Sequence, residues 1–406
     1  MSSPSFDSLA LSAAPVGGTL FGRSHARSRL WLGITGVGLT VCCALWLVLV
    51  PTAASTLAIR LSDLLGVAAS AQSLRGAVGT AVLVAWLHAL VLFPVDVVGG
   101  VIVVREPVPI LRWLARWARG LAVTSLVIAA SAGALYGGYV LLGTVGVVMA
   151  GLVLQVAWVM AQGWLALLTG GVRFVPLSDA LRTAVARAEL PLEQVREVEA
   201  DDIGFVGGWI GTAPTLWVPA AWTRGMSRDA LASQLVRRRL VLASGLRTRG
   251  VLGAIAWNAI GVAWFAIGAP VLPSNVILFM CGVTLWSFLG VLLLPTPSRR
   301  AIFATDRDTA RAIGADGVVE AMHFIDARQD DEPTRTRGIE TVFHPVPSRA
   351  SRDEAIMRPN PPNAPRGAYH LTRLMLGGSS AALGLLGRAV HCNVGRPGLW
   401  VVYPGD

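Results

Sequence analysis

The sequence predicts a polytopic α-helical membrane protein of about six spans, carrying a small α+β cytosolic domain that a transmembrane hairpin divides. Three observations carry that reading. Hydrophobic residues make up 54% of the 406-residue chain and charged residues only 14%, against roughly 25% charged in a soluble domain. Of the 34 Lys+Arg and 24 Asp+Glu, nine lie between Leu30 and Gly170 and none between Val251 and Pro297. Runs approaching the roughly 20 apolar residues that cross a bilayer recur through those two stretches.

The first run, Leu30–Val50, ends at Pro51. Gly76–Leu92 is shorter and continues into Phe93-Pro94. Leu121–Leu142 and Val145–Leu168 form a hairpin with almost no loop, and Val251–Ala269 with Asn275–Leu294 forms a second, whose turn holds Pro270 and Pro273. An even number of spans puts both termini on one side. On that side fall 32 of the 34 basic residues, all of them arginine, with only Arg60 and Arg75 opposite. The short loops follow the positive-inside rule, so both termini and both large polar segments are expected in the cytosol. The absence of lysine reads as a GC-rich genome, and the bacterial cytoplasmic membrane as the expected location.

Composition also excludes several classes. The net charge of +10 comes from arginines spread along the chain and mixed with acids after residue 170, without any nucleic-acid-binding motif. The four cysteines, Cys42, Cys43, Cys281 and Cys392, offer neither a disulfide framework nor a CxxC knuckle. Polar residues inside the spans are His88, Gln155, Gln162 and Asn258, with Asp96 just past the second. One histidine and one nearby aspartate read as helix packing or snorkelling rather than a proton path, which counts against a transporter. Loop 93–120 carries Arg112, Arg116 and Arg119 with Trp113 and Trp117 between them. That spacing predicts a short interfacial helix on anionic lipid.

Segment 171–250 reads as a compact α+β piece. Ser178–Ala188 has a helical pattern, Gln194–Glu199 alternates as a strand, Ile203–Ile210 is Gly-rich and turn-like, and Thr215–Pro219 is a short strand. Ser227 is placed to N-cap a helix from Arg228 to about Leu242, with Asp229 in its first turn. This order, a GG turn, a strand ending in Pro, and a helix opened by Met226-Ser-Arg-Asp-Ala-Leu231, resembles the lead-in to the catalytic helix of the integral-membrane zinc metallopeptidases of the CAAX-prenyl-protease and HtpX type (peptidase family M forty-eight). After the intervening two-span hairpin, Ser298-Arg-Arg-Ala-Ile-Phe-Ala-Thr-Asp306-Arg307 is similar to that family's second motif, and Asp308–Ala315 continues as an amphipathic helix. Val342-Phe-His344-Pro345 with Arg349 resembles its later HP…R segment. The resemblance covers roughly residues 75–350 and implies a zincin-like cytosolic domain.

On that resemblance the chain divides into a polar N-tail (1–29), four spans with the basic loop 93–120 (30–170), a first peptidase-like segment (171–250), the transmembrane hairpin (251–296), a second peptidase-like segment (297–350), and a Pro-rich linker with an apolar, aromatic tail (351–406). Charged, Pro-rich stretches 326–336 and 347–366 read as linkers. Leu371–Val390 reads as a re-entrant or interfacial helix.

The family's chemistry needs HExxH, because histidines at i and i+4 present both imidazoles to one zinc while the Glu takes a proton from the bound water. In the register of the lead-in, the first His and the Glu correspond to Arg237 and Arg238, the second His to Val241 and the third-ligand Glu to Ile302; Asp306 is retained. None of the six histidines is followed by Glu and no two are four apart, so no other register restores the motif. Arginine has no acceptor and cannot ligate a metal. Arg237-Arg238-Arg239 reads first as a solvated or lipid-facing helix end, and second as guanidiniums filling the former metal cleft to bind a carboxylate or phosphate.

The expected function is therefore a pseudopeptidase, a scaffold or peptide-binding module that needs no cofactor. Its partners are the bilayer and a membrane or cytosolic protein, not nucleic acid. A peptide would add as a strand beside Ile203–Trp209, with Gly207 and Gly208 as interaction residues. The alternative is an active metalloendopeptidase with a non-standard zinc site, for which His391-Cys392, with His370, offers donors.

Overall fold

The computed structural model describes residues 19–20, 24–66, 73–268, 275–329, 332–358 and 367–400. Most of the expected N-tail, the turn with Pro270 and Pro273, and the end of the Pro-rich linker lie outside them.

Helix α1 (His25–Leu49) starts where Ser24 caps the backbone N–H of Arg27, which satisfies one of the first-turn donors left open by helix geometry. Pro51 then opens α2 (Pro51–Leu64), a position where its missing N–H costs nothing. Helix α3 (Leu74–Val97), capped by Ser73, contains Pro94 and widens into a π turn over Val98–Ile102. Proline removes a helix donor and pushes on the preceding turn, and the widened turn follows directly.

Helix α4 (Ile110–Thr169) is 60 residues long but leaves helical geometry at Leu142 and at Gly143, where φ is +60°. The two arms fold back on each other. Arg119 Nε donates to Leu168 O at 2.6 Å, and a Cβ on Gly138 would lie 2.4 Å from Gly146 O. Helices α8 (Leu246–Gly268) and α9 (Val276–Leu293) complete the set of five long apolar helices among the described residues. Their inward faces pack Ile128, Leu135, Val147, Ile277, Phe279 and Met280 at the centre. Their outward faces leave Trp46, Leu141, Trp164, Trp264 and Ile267 exposed, the pattern lipid requires.

The small α+β piece starts with β1 (Val172–Val175), α5 (Asp179–Arg187) and β2 (Val195–Ala200), followed by β3 (Gly208–Ile210), β4 (Thr215–Pro219), α6 (Ala220–Gly225) and α7 (Arg228–Ala243). The sheet order is β1-β2-β4-β3. The outer pairs are antiparallel, Val172 opposite Ala200 and Gly208 opposite Trp217, and the central pair is parallel, Val195 opposite Leu216. Leu181, Val185, Val218, Trp222, Leu231 and Leu235 fill the layer between the sheet, α5 and α7. Beyond the hairpin come α10 (Pro295–Ile313), α11 (Ala315–Gln329), α12 (Arg337–Phe343), α13 (Arg349–Met357) and α14 (Leu371–Ser379).

Three expectations are corrected. Arg112, Arg116 and Arg119 lie in the first turns of α4 rather than on a separate interfacial helix, because the apolar periodicity runs through them unbroken. Arg116 pairs with Asp201 at 2.6 Å, and Trp113 is buried with its indole N–H on Gly395 O at 2.9 Å. The stretches read as linkers are partly helical, since α11 runs to Gln329 and α13 spans Arg349–Met357. The run Leu371–Val390 is helical only to Ser379 and continues as 3-10 turns.

The tail is held by the polar groups of the spans. Gln155 Nε2 donates to Gly378 O at 2.9 Å, while Asn258 Nδ2 donates to Gln155 Oε1 at 2.9 Å and to Met375 O at 3.1 Å. Buried amides thus reach carbonyls in the last turns of α14 and tie it to α4 and α8. Further on, Asp96 accepts from Arg388 at 2.6 Å, from Gly395 N at 2.8 Å and from the Trp117 indole at 3.1 Å. The tail comes this close because a Cβ on Gly100, in the π turn, would sit 2.4 Å from Gly395 O. Substituting Arg388→Ala leaves the Asp96 carboxylate buried without its guanidinium, a change that costs about 3–5 kcal/mol. The expected result is protease cleavage between residues 380 and 400 in detergent-solubilised protein, at a protease concentration the wild type survives.

Candidate functional site

Helix α7 is the element on which the candidate residues sit. Ser227 Oγ accepts from Ala230 N at 3.1 Å and donates to Glu320 on α11 at 2.8 Å. The cap fixes the start of α7 and so the direction of every residue after it. Arg237 then points toward α10, Arg238 toward the sheet, and Arg239 outward, where it pairs with Glu189. Successive helix positions are about 100° apart, so three adjacent arginines reach three different surroundings.

Arg237 is buried against a buried carboxylate. Its Nε donates to Asp306 Oδ1 at 2.7 Å and its Nη1 to Tyr369 Oη at 2.7 Å. Arg352 of α13 closes the other side with a two-pronged contact, Nε to Oδ2 at 2.7 Å and Nη2 to Oδ1 at 2.9 Å. Burial pushes the Asp306 carboxyl upward, but Arg352 and Arg237 more than offset it and hold it below the usual carboxylate range. Asp306 is therefore an anion engaged by two guanidiniums, and its lone pairs are committed to them.

Arg238 is equally buried. Its Nη2 donates to Val206 O at 2.9 Å, and the guanidinium carbon lies 5.5 Å from the centre of the Trp222 ring. Trp209 of β3 returns a hydrogen bond from its indole to Arg238 O at 2.8 Å. Reading these arginines first as a solvated helix end is thus corrected: Arg237 and Arg238 are among the largest fully buried side chains of the chain. Their partners lie 69 and 32 positions away, out of reach of any helical pattern.

Val241, one turn beyond Arg237, packs with Ile302, Ala301, Leu246 and Tyr369 in one buried cluster. The structure therefore brings Arg237, Val241, Ile302 and Asp306 together around a single spot between α7 and α10. Sequence reasoning missed Tyr369 and Arg352, which complete that spot. The only signal for either was the charge of Arg352 within a stretch read as linker.

Gly207 and Gly208 lie at the start of β3, the outer strand of the sheet. Gly207 has φ of +60° and a Cβ there would meet Trp217 O at 2.1 Å, so only glycine fits. All three residues of β3 are buried, and an added strand would have to displace what covers them. The other donors named from sequence have different ring neighbours. His391 stands against His344, ring centres 4.9 Å apart, whereas His370 packs on Tyr369 at 4.1 Å.

No family model and no curated protein sequence matches the chain. The comparison of folds decides more. The crystal structure of S. mikatae Ste24p superposes with a TM-score of 0.61 over 75% of this chain and 79% of that one, at 11% sequence identity. The chain shares the Ste24p fold. At this identity the Ste24p fold says how the chain is built and leaves the chemistry to its own residues.

Proposed function

We propose that this chain is a membrane-embedded relative of the metallopeptidases that has lost the zinc ligands and the catalytic base, and that it acts as a scaffold or protein-binding module. Ste24p is a CAAX prenyl protease of the family that the motifs resemble, so fold and motif order support the same ancestry. The observation that carries the reading is the ion-paired Arg237–Asp306–Arg352 triad, with Arg237 and Asp306 buried, beside Val241 and Ile302. On the motif register Arg237, Arg238 and Val241 stand at the His, Glu and His of HExxH, Ile302 at the third ligand and Asp306 at the retained aspartate; Arg352 lies outside the register. Two guanidiniums and two hydrocarbon side chains offer no lone pair to a metal, and the fixed charges of Arg237 and Arg238 oppose a dication. Zinc therefore does not fit these residues, and no catalytic step is assigned to them.

In this reading the chain crosses the bilayer six times, with both arms of α4 counted and both termini in the cytosol of a bacterial cell. The buried edge strand β3 favours docking on the outer faces of the cytosolic helices over strand addition. Binding of a partner peptide abolished by Gly207→Pro or Gly208→Pro in a folded variant would return the strand edge to consideration.

Elemental analysis of detergent-purified protein after dialysis against a weak chelator tests the reading. Near-zero zinc and no cleavage of an unstructured protein substrate are expected. About one zinc per chain, lost on substituting His391 and Cys392, would overturn it and establish the alternative metal site.

A further inference from the structure

A second cavity lies apart from the α7–α10 spot. It has a volume of about 270 Å³ and is bounded by α1, α9, α11 and the tail, near the lower end of the roughly 300–1,000 Å³ typical of small-molecule sites. We propose that it holds one acyl chain of a bilayer glycerolipid, chosen by hydrocarbon contact and not by the charge of the head group.

The walls are two apolar stripes. Leu30, Ile34 and Val37 recur at i, i+4 and i+7 along α1, and Phe288, Val291 and Leu292 at i, i+3 and i+4 along α9, so each set lies on one face of its helix. The slot between them opens sideways. Gly38, at its α1 edge, is exposed, and a Cβ added there would meet nothing within 4 Å. On the α9 edge Leu292 is 41% exposed. Their neighbours Leu39 and Leu293 are exposed too and belong to the outward apolar faces that lipid covers. The slot is therefore continuous with a surface that already touches the bilayer. A polypeptide entering it would bring an N–H and a C=O per residue against hydrocarbon, and each would need a partner. An acyl chain brings none.

Helix α11 sets the direction of the chain. Leu30 stands near the start of α1 and Leu292 near the end of α9, so both stripes run inward from one membrane boundary to Val37 and Phe288. Beyond that boundary the cavity continues past Met322 and Ile325 of α11 to Val346. Helix α11 is too polar to span: its 15 residues include Asp316, Glu320, Asp326 and Arg328. It also packs Phe324 and Ile325 into the layer between α5 and α7. A lipid with its ester end at Met322 and Ile325 and one chain laid between the stripes keeps the ordinary orientation of its leaflet. The guanidiniums at this end are engaged within the protein, Arg352 with Asp306 at 2.7 Å and Arg335 with Val346 O at 3.3 Å. Recognition thus rests on the apolar stripes.

Photolabelling of the full chain in phosphatidylcholine vesicles provides the test, with two phosphatidylcholine probes that differ only in where one acyl chain carries a diazirine. The probe with the diazirine next to the ester is expected to mark Met322 or Ile325, and the probe with it at the chain end to mark Phe288. Ile34→Trp, which puts an indole between the stripes, should cut the α11 label at least fivefold in protein that keeps its thermal midpoint. Leu39→Trp, on the outward face, should leave that label unchanged. Unlabelled phosphatidylglycerol and phosphatidylcholine of identical chains should compete with the probe within twofold of each other. Absence of label on α11 from both probes, equal labelling of α11 by the two, an α11 label that survives Ile34→Trp, or a larger preference for either head group would overturn the proposal.

Discussion

Replacing Asp306 with alanine is expected to destabilise the α+β piece more than any other single change between α7 and α10, by about 3–5 kcal/mol. The substitution removes the carboxylate but leaves the buried Arg237 and the half-buried Arg352 facing each other across its place. Guanidiniums stay protonated at any accessible pH, so the repulsion cannot be relieved by titration. Replacing all three groups by apolar residues of similar size, as Arg237→Met, Asp306→Leu and Arg352→Met together, removes both the charges and their desolvation cost. That triple variant should recover most of the lost stability, because buried ion networks are often no better than a well-packed apolar core. The readout is the thermal midpoint of detergent-solubilised protein followed by tryptophan fluorescence. A triple variant as unstable as Asp306→Ala would show that the triad is needed for more than charge balance.

Acid gives the same test a second arm. Asp306 is held below the ordinary carboxylate range in the folded chain. Its contribution to stability is therefore fully present above the unfolded value of about 3.9 and is lost as pH falls through the lower folded value. The gap in midpoint between wild type and Asp306→Ala should be constant near neutrality and shrink below about pH 4. A gap that grew on acidification would mean that the folded carboxyl is instead held high by burial.

Much of the fold was legible because it rests on local rules. The helical pattern of 178–188 announces α5 and the Ser227 cap announces α7, and both helices are capped by those serines. The apolar runs and the break near Gly143 give the long helices and the fold-back within α4. Strand β1 was missed: four residues after Gly170-Gly171 are too few to show alternation. The tail escaped for a different reason. Its position depends on Gln155, Asn258 and Asp96, which reach 223, 117 and 292 positions along the chain, and periodicity reports only on near neighbours. The site divides along the same line. Residue types at α7 and α10 showed which chemistry is missing, but not that Arg237 and Arg238 are buried, since an arginine run has the composition of a surface.

The four substitutions Arg237→His, Arg238→Glu, Val241→His and Ile302→Glu, made together, are expected to create a site that retains about one zinc per chain after dialysis. The argument is geometric. Positions 237 and 241 lie one turn apart on the same face of α7, and Val241 and Ile302 already share one buried cluster, so two imidazoles and a carboxylate would converge there. Asp306, now beside Arg237, would be placed to accept the second ring N–H of the new histidine at 237, the kind of support that metal-bound imidazoles use. Replacing Arg237 also leaves Asp306 with one guanidinium, Arg352, in two-pronged contact, so the carboxylate keeps a partner. The dication would face no guanidinium on α7 at these positions. The variant with Ile302 restored should hold zinc at least tenfold more weakly, because one ligand is missing. A folded four-substitution variant that binds no zinc would mean that α7 and α10 are not spaced as a metal site, and would remove the ancestry argument from the proposed function. Zinc bound equally with and without Glu at 302 would place the metal elsewhere, with His391 and Cys392 the next positions to substitute.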